Sequence, residues 1–151
     1  MNFRPTLCNH CAEPACVANC PTGAMAKRED NGAVVVDQDV CIGCGTCVNS
    51  CPYGAPQFIE EDKIVQKCDT CRALREAGHE PVCVEACPLR ALSFGPVGEL
   101  RERYGGAADL PPLPDAAATA PNLVLTAPAC YEADPERIRA EGCVLSIREI
   151  V

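Results

Sequence analysis

Fourteen of the 151 residues are cysteine, and twelve of these fall into three groups of four. The first is Cys8, Cys11, Cys16 and Cys20; the second Cys41, Cys44, Cys47 and Cys51; the third Cys68, Cys71, Cys83 and Cys87. Each group ends in Cys-x3-Cys-Pro, at Pro21, Pro52 and Pro88, and the endings recur at intervals of 31 and 36 residues. A repeat of this kind marks one structural unit used several times. Thiolates are soft metal ligands, and two-residue spacings let a tight loop turn several sulfurs toward one centre. The proline after the fourth cysteine fixes φ and removes a backbone donor, which directs the chain out of the loop.

The second group is letter for letter the Cys-x2-Cys-x2-Cys-x3-Cys-Pro run that holds [4Fe–4S] clusters, in which the fourth cysteine serves the other cluster of a pair. The first and third groups are variants with longer insertions. Two other readings compete. A disulfide scaffold suits the cysteine density, but Cys-x2-Cys neighbours rarely bridge outside redox motifs, and the opening residues carry no apolar export signal. Structural zinc also uses Cys-x2-Cys knuckles, yet it gives no reason for a triply repeated Cys-x3-Cys-Pro. The cluster reading alone accounts for the repeat.

Composition narrows the rest. With 21 acidic and 13 basic residues the net charge is −8, which disfavours binding to a nucleic-acid backbone. No run of 18 apolar residues offers a membrane span. Nucleotide-binding, metalloprotease and serine-hydrolase motifs are missing, and three serines and two histidines supply little for acid–base or nucleophilic catalysis. Six aromatic residues, none of them Trp, make a thin core that needs a staple.

The pattern predicts a loop-rich α+β fold: a bacterial ferredoxin-like [4Fe–4S] module with short β-hairpins and short helices, then an extended C-terminal connector and tail. Residues 1–67 form the two-cluster module, 68–106 the third cysteine group with a following strand and helix, and 107–151 the connector and tail. Short strands are expected at 33–37, at 57–60 and 63–67 around a Glu61-Asp62 turn, at 91–94, and at 122–126. The hairpin of 57–67 is expected to hold the second and third groups at opposite ends. A helical turn or two is expected at 99–104, closed by Gly105-Gly106, and a short helix from Asp134-Pro135-Glu136 to near Gly142. The Pro- and Ala-rich stretch 107–121 reads as an extended connector with little capacity for a core.

The stretches CNHCAEPAC (8–16), CPTGAMAKRED (20–30), VVVDQDVCIGC (34–44), CPYGAPQF (51–58), KCDTC (67–71) and PVCVEACPLRALSFGP (81–96) resemble the electron-transfer (beta) subunits of the anaerobic dimethyl sulfoxide reductase family. The likeness continues to Pro128 and then fades. It implies one [4Fe–4S] cluster on Cys8, Cys11, Cys16 and Cys51, and a second on Cys41, Cys44, Cys47 and Cys20. Nitrate-reductase-type relatives carry a tryptophan for one block cysteine and a three-iron cluster; with Cys44 and Cys47 both present, four irons are implied here. The family also carries a further cysteine block upstream of the region that starts at Met1. Its absence leaves Cys68, Cys71, Cys83 and Cys87 as a third, incomplete site and implies a shortened version of a longer protein. Otherwise Cys87, Cys130, Cys143 or a partner protein completes that site, or it stays empty or takes another metal.

The implied role is non-catalytic. Single electrons pass through the clusters from a quinol-oxidising integral-membrane anchor to a molybdopterin catalytic subunit that reduces an S-oxide or N-oxide. A free-standing soluble polyferredoxin is the alternative. The expected location is peripheral to the bacterial cytoplasmic membrane, within a complex, after folding in the cytoplasm. His10 and His79 read as non-ligands, His10 as a surface residue. Tyr53 reads as packing or as a shield for a cluster. Lys63, Lys67, Arg72, Arg75 and Arg90 read as a solvated basic face around the third group. Cys130 and Cys143 read as inert thiols.

Overall fold

Prolines and glycines cut the chain into one-turn pieces. The structure, a computed structural model, describes residues 7–110 and 113–127. Helix α1 (Ala15–Ala18) starts after Pro14 and is followed by strands β1 (Met25–Lys27) and β2 (Val34–Val36). Helix α2 (Thr46–Ser50) starts after Gly45 and is followed by β3 (Gln57–Ile59) and β4 (Ile64–Gln66). Cys51 ends α2 in an extended conformation (φ −80°, ψ 114°), the region to which a following proline confines the residue before it. The internal repeat is thus a helix and an antiparallel hairpin used twice, with registers Met25↔Val36 and Gln57↔Gln66. Three further helices follow: α3 (Arg72–Glu76), α4 (Val82–Glu85) and α5 (Val97–Tyr104).

The two repeats close on each other. Helix α1 packs against α2 and β1, and the core between them holds Met25 (2% exposed), Val34 (1%) and Val65 (1%) with Cys16 and Cys47. By contrast α3, α4 and α5 bury no residue. Strand β2 occupies the 33–37 run and α5 covers the 99–104 turn; β1 has no counterpart in the sequence reading. Residues 91–94 form no strand. They meet no free sheet edge, and Phe94 lies instead beneath the Arg75 guanidinium, 4.9 Å from the ring centre. The 122–126 run supplies one bridge, Leu125 to Ala107. The expected helix at 134–142, Cys130 and Cys143 lie outside the described residues.

Two expectations need correction. The stretch after Ala107 does not run free. Asp115 caps a 3-10 turn (Ala116–Ala118) by accepting the Ala117 N–H, and the chain then docks on the first cysteine loop. Ala12 N–H donates to Ala120 O (2.7 Å), Glu13 N–H to Thr119 O (3.1 Å) and Asn122 N–H to Asn9 O (3.1 Å). Thr119 is 2% exposed and Pro121 is fully buried. Backbone pairing and two small buried side chains achieve what the apolar content alone did not promise. The hairpin β3–β4 likewise does not separate the second and third groups cleanly, because in an antiparallel pair both flanks leave from one end. The chain from Cys51 and the chain to Cys68 share the open end, while the Cys41–Cys44 loop lies at the turn, with Gly43 against Lys63.

Gly43 cannot carry a side chain. Its φ is +65°, and an added Cβ would stand 2.0 Å from the carbonyl oxygen of Lys63. Gly32, at φ +69°, has open space around the same position. Gly43→Ala is expected to cost more than about 2 kcal/mol, lowering the thermal midpoint by roughly 5–10 °C. Gly32→Ala should cost about 1 kcal/mol, the conformational strain alone. Thermal denaturation of both variants checks the difference.

Candidate metal centres

The third cysteine of each early group sits in a helix and faces the core. Cys16 lies in α1 and Cys47 in α2, both buried, so the two helices that pack together bring two sulfurs toward one interior. Around them open two hollows. Cys8, Cys11, Cys16 and Cys51 line one of about 290 Å³, here called site one. Cys20, Cys41, Cys44 and Cys47 line the other, of about 320 Å³, here called site two. Each hollow therefore takes three sulfurs from one cysteine group and one from the other. The sulfurs ring the space without converging on a point: among the described residues no three His, Cys, Asp or Glu side chains are grouped closely enough for a single ion. A cube with iron at separate corners fits such a spread ring.

The third group is not gathered with them. None of Cys68, Cys71, Cys83 and Cys87 lines either hollow. Cys68 and Cys83 are exposed, Cys71 and Cys87 half-buried.

The two sites differ in their surroundings. At site two the Met25 N–H donates to Cys20 Sγ (3.4 Å), with Thr22 Oγ1 at 3.8 Å, and Thr46 Oγ1 lies 3.3 Å from Cys44 Sγ. A small burial cost at Cys20 is outweighed by these hydrogen bonds, and its thiol falls below the ordinary range. The Thr46 hydroxyl pulls Cys44 down in the same way. Burial pushes Cys47 up. The rim is open: Cys44 is exposed and Ile42 is 65% exposed.

Site one has cationic neighbours and two buried thiols, Cys11 and Cys16. Burial pushes Cys11 up and takes Cys16 to about 11, so the metal-free protein keeps these thiols protonated until iron displaces the proton. Tyr53 lines the hollow and is 7% exposed, and its hydroxyl accepts from Thr119 (3.3 Å). Lys67 Nζ donates to Val34 O, to Cys68 O (2.9 Å) and to Cys8 Sγ (3.6 Å). Lys27 Nζ donates to Cys11 O (2.6 Å). His10 also lines this hollow; burial, then Lys67 and Lys27, lower its pKa to about 4, so the ring is neutral.

Two sequence readings change here. His10 is half-buried rather than a free surface residue: its Nδ1 accepts the Val34 N–H and the residue lines site one. Lys67 does not belong to the solvated basic face, because its amine is directed inward by three acceptors. Others of that group also have partners: Arg72 pairs with Glu76 (2.7 Å), Arg75 donates to Thr70 Oγ1 (2.6 Å) and Arg90 to Glu85 O (2.9 Å). Thr119 was invisible to spacing arguments, since its contact with Tyr53 spans 66 residues.

Eight thiols in two crossed rings, reached by backbone and hydroxyl donors, define a ferredoxin-like module for two iron–sulfur clusters. The protein belongs to the 4Fe-4S dicluster domain family, whose pattern matches residues 1–97. It is similar to two proteins of Escherichia coli, the probable anaerobic dimethyl sulfoxide reductase chain YnfG and a second anaerobic dimethyl sulfoxide reductase chain. To each it is 57% identical over 118 residues, covering 78% of this chain and 57% of the relative. It is also 45% identical over 115 residues to a sulfite dehydrogenase subunit of Allochromatium vinosum, covering 67% of this chain and 48% of that protein. The chain thus spans about half the length of these relatives. The resemblance seen in the cysteine blocks holds, and [4Fe–4S] clusters are its cofactors.

Thr119→Val leaves the Tyr53 hydroxyl without its buried donor. It should cost about 1–2 kcal/mol and lower the thermal midpoint by a few degrees, measured by differential scanning calorimetry.

Proposed function

We propose that this protein is the electron-relay part of a multisubunit molybdenum oxidoreductase, passing single electrons between a quinol-oxidising membrane anchor and a molybdopterin subunit that reduces an S-oxide or N-oxide. Cys8, Cys11, Cys16 and Cys51 would hold one [4Fe–4S] cluster, and Cys41, Cys44, Cys47 and Cys20 the other. The observation that carries this reading is the exchange of Cys20 and Cys51 between the two hollows. It sets both sites against one core, so an electron passes between them through packed protein without crossing water. Each cluster, when bound, supplies a one-electron couple whose potential follows from hydrogen bonds, charge and exposure. The protein would position the sulfurs, place the buried Tyr53 against site one, and leave Ile42 exposed at site two. The similarity to anaerobic dimethyl sulfoxide reductase chains supports the choice of partner class.

The third cysteine group, which lines neither hollow, would supply ligands to a third site through Cys68, Cys71, Cys83 and Cys87. Placement at the membrane periphery would follow from attachment to the anchor, since no described helix is long and apolar enough to cross a membrane.

Iron and sulfide analysis of the anaerobically reconstituted protein should give about eight of each, and about twelve if the third site fills. Cys20→Ser, although it lies in the first cysteine group, should halve the count by emptying site two. Loss of site one instead would contradict the crossed assignment.

A further inference from the structure

His10 has one ring nitrogen explained and one not. The Val34 N–H donates to its Nδ1 (2.9 Å), so the neutral ring carries its proton on Nε2. Nε2 is buried and has no hydrogen-bond partner among the described residues. A buried donor left unmade is costly, and such groups call for an explanation. The backbone supports the placement at a cost of its own, since His10 sits at φ +41°, where side chains are disfavoured. Asn122 Nδ2 holds the His10 carbonyl from the docked C-terminal segment (2.8 Å). The ring lines site one, where the sulfur atoms of a cluster would be the nearest acceptors.

Lys67 adds charge to the same place. Its ammonium touches Cys8 Sγ, while its other two donors anchor it to Val34 O and Cys68 O. Lys27 stands behind Cys11. The Asp69 carboxylate lies within electrostatic range of His10, but its Oδ1 already accepts the Cys71 N–H (2.8 Å). Site two is lined by no lysine, arginine or histidine, and its sulfurs are met by neutral donors alone.

We propose that His10 and Lys67 hold site one at a higher reduction potential than site two, so that the first electron to enter the pair rests at site one. Reduction adds one negative charge to a cluster and removes nothing else. A donor or cation in contact with the sulfurs stabilises the reduced form more than the oxidised form and raises the potential. Water at the open rim near Ile42 acts in the same sense at site two. A fixed ammonium in contact with a ligand sulfur outweighs it, because solvent dipoles reach only the exposed edge. The inference rests on the ligand assignment proposed above.

The test is an electron paramagnetic resonance redox titration of the full reconstituted protein, which reads two midpoints. His10→Phe and Lys67→Met should each lower the same midpoint, by at least the ~59 mV that corresponds to a tenfold change in a one-electron equilibrium. Lys67→Arg should restore most of the shift. Thr46→Val, which removes a donor at site two, should move the other midpoint. Histidine labelled with 15N, in an otherwise unaltered protein and again with His79→Gln, should show nitrogen coupling to the signal of higher potential. That labelled protein and Lys67→Met decide the matter if His10→Phe takes up less iron. Unmoved midpoints, a shift shared with Thr46→Val, or no histidine coupling would each overturn the proposal. Failure of the ligand assignment would look different, as fewer than two clusters in the unaltered protein.

Discussion

Cys16 and Cys47 stand in the core beside Met25, Val34 and Val65, so side chains that must face metal also have to exclude water. Even with the partly buried Val17, Val36 and Val48 around it, this core is small for the chain it must order, because small cores bury too little apolar surface against the entropy of ordering. The crossed ligand set proposed here would answer that shortage. A cluster bonded to both cysteine groups would tie the α1 repeat to the α2 repeat in a way that neither hairpin does alone. Folding and cofactor assembly would then be one equilibrium, as in other domains whose metal ligands lie far apart in sequence.

The repeat is symmetric in topology and asymmetric in chemistry. Both halves offer a helix, a hairpin and four sulfurs. The first half is then covered by a segment more than 90 residues downstream of its last cysteine, through Thr119, Ala120 and Asn122. That cover packs Thr119 against Tyr53 at site one, and Lys67 and Lys27 place positive charge beside it. Nothing comparable crosses the rim of site two among the described residues, and Ile42 stays exposed there. A relay benefits from this difference, because one end has to be sheltered from solvent and the other approachable by a partner.

The sequence exposed the parts of this arrangement that depend on covalent spacing. The three cysteine groups, the β3–β4 hairpin around Glu61-Asp62 and the short helix before Gly105 could be read because each is encoded within a few residues. What escaped depends on contacts between distant segments. The docking of 113–122 rests mainly on backbone hydrogen bonds, which composition does not show. The inward turn of Lys67 rests on acceptors in β2 and the first loop. The 91–94 run had the look of a strand but found no sheet edge, and exposed β-branched or aromatic content alone does not make one. The placement of His10 rests on the Val34 N–H of β2, 24 residues away, which local spacing does not encode.

The central claim is that two [4Fe–4S] clusters share one core through crossed ligands. Electron paramagnetic resonance of the fully reduced protein tests it most directly. Neighbouring paramagnets set against one core should give a broadened, spin-coupled spectrum that integrates to two spins per molecule. Two narrow signals without mutual broadening, or a single spin per molecule, would contradict it.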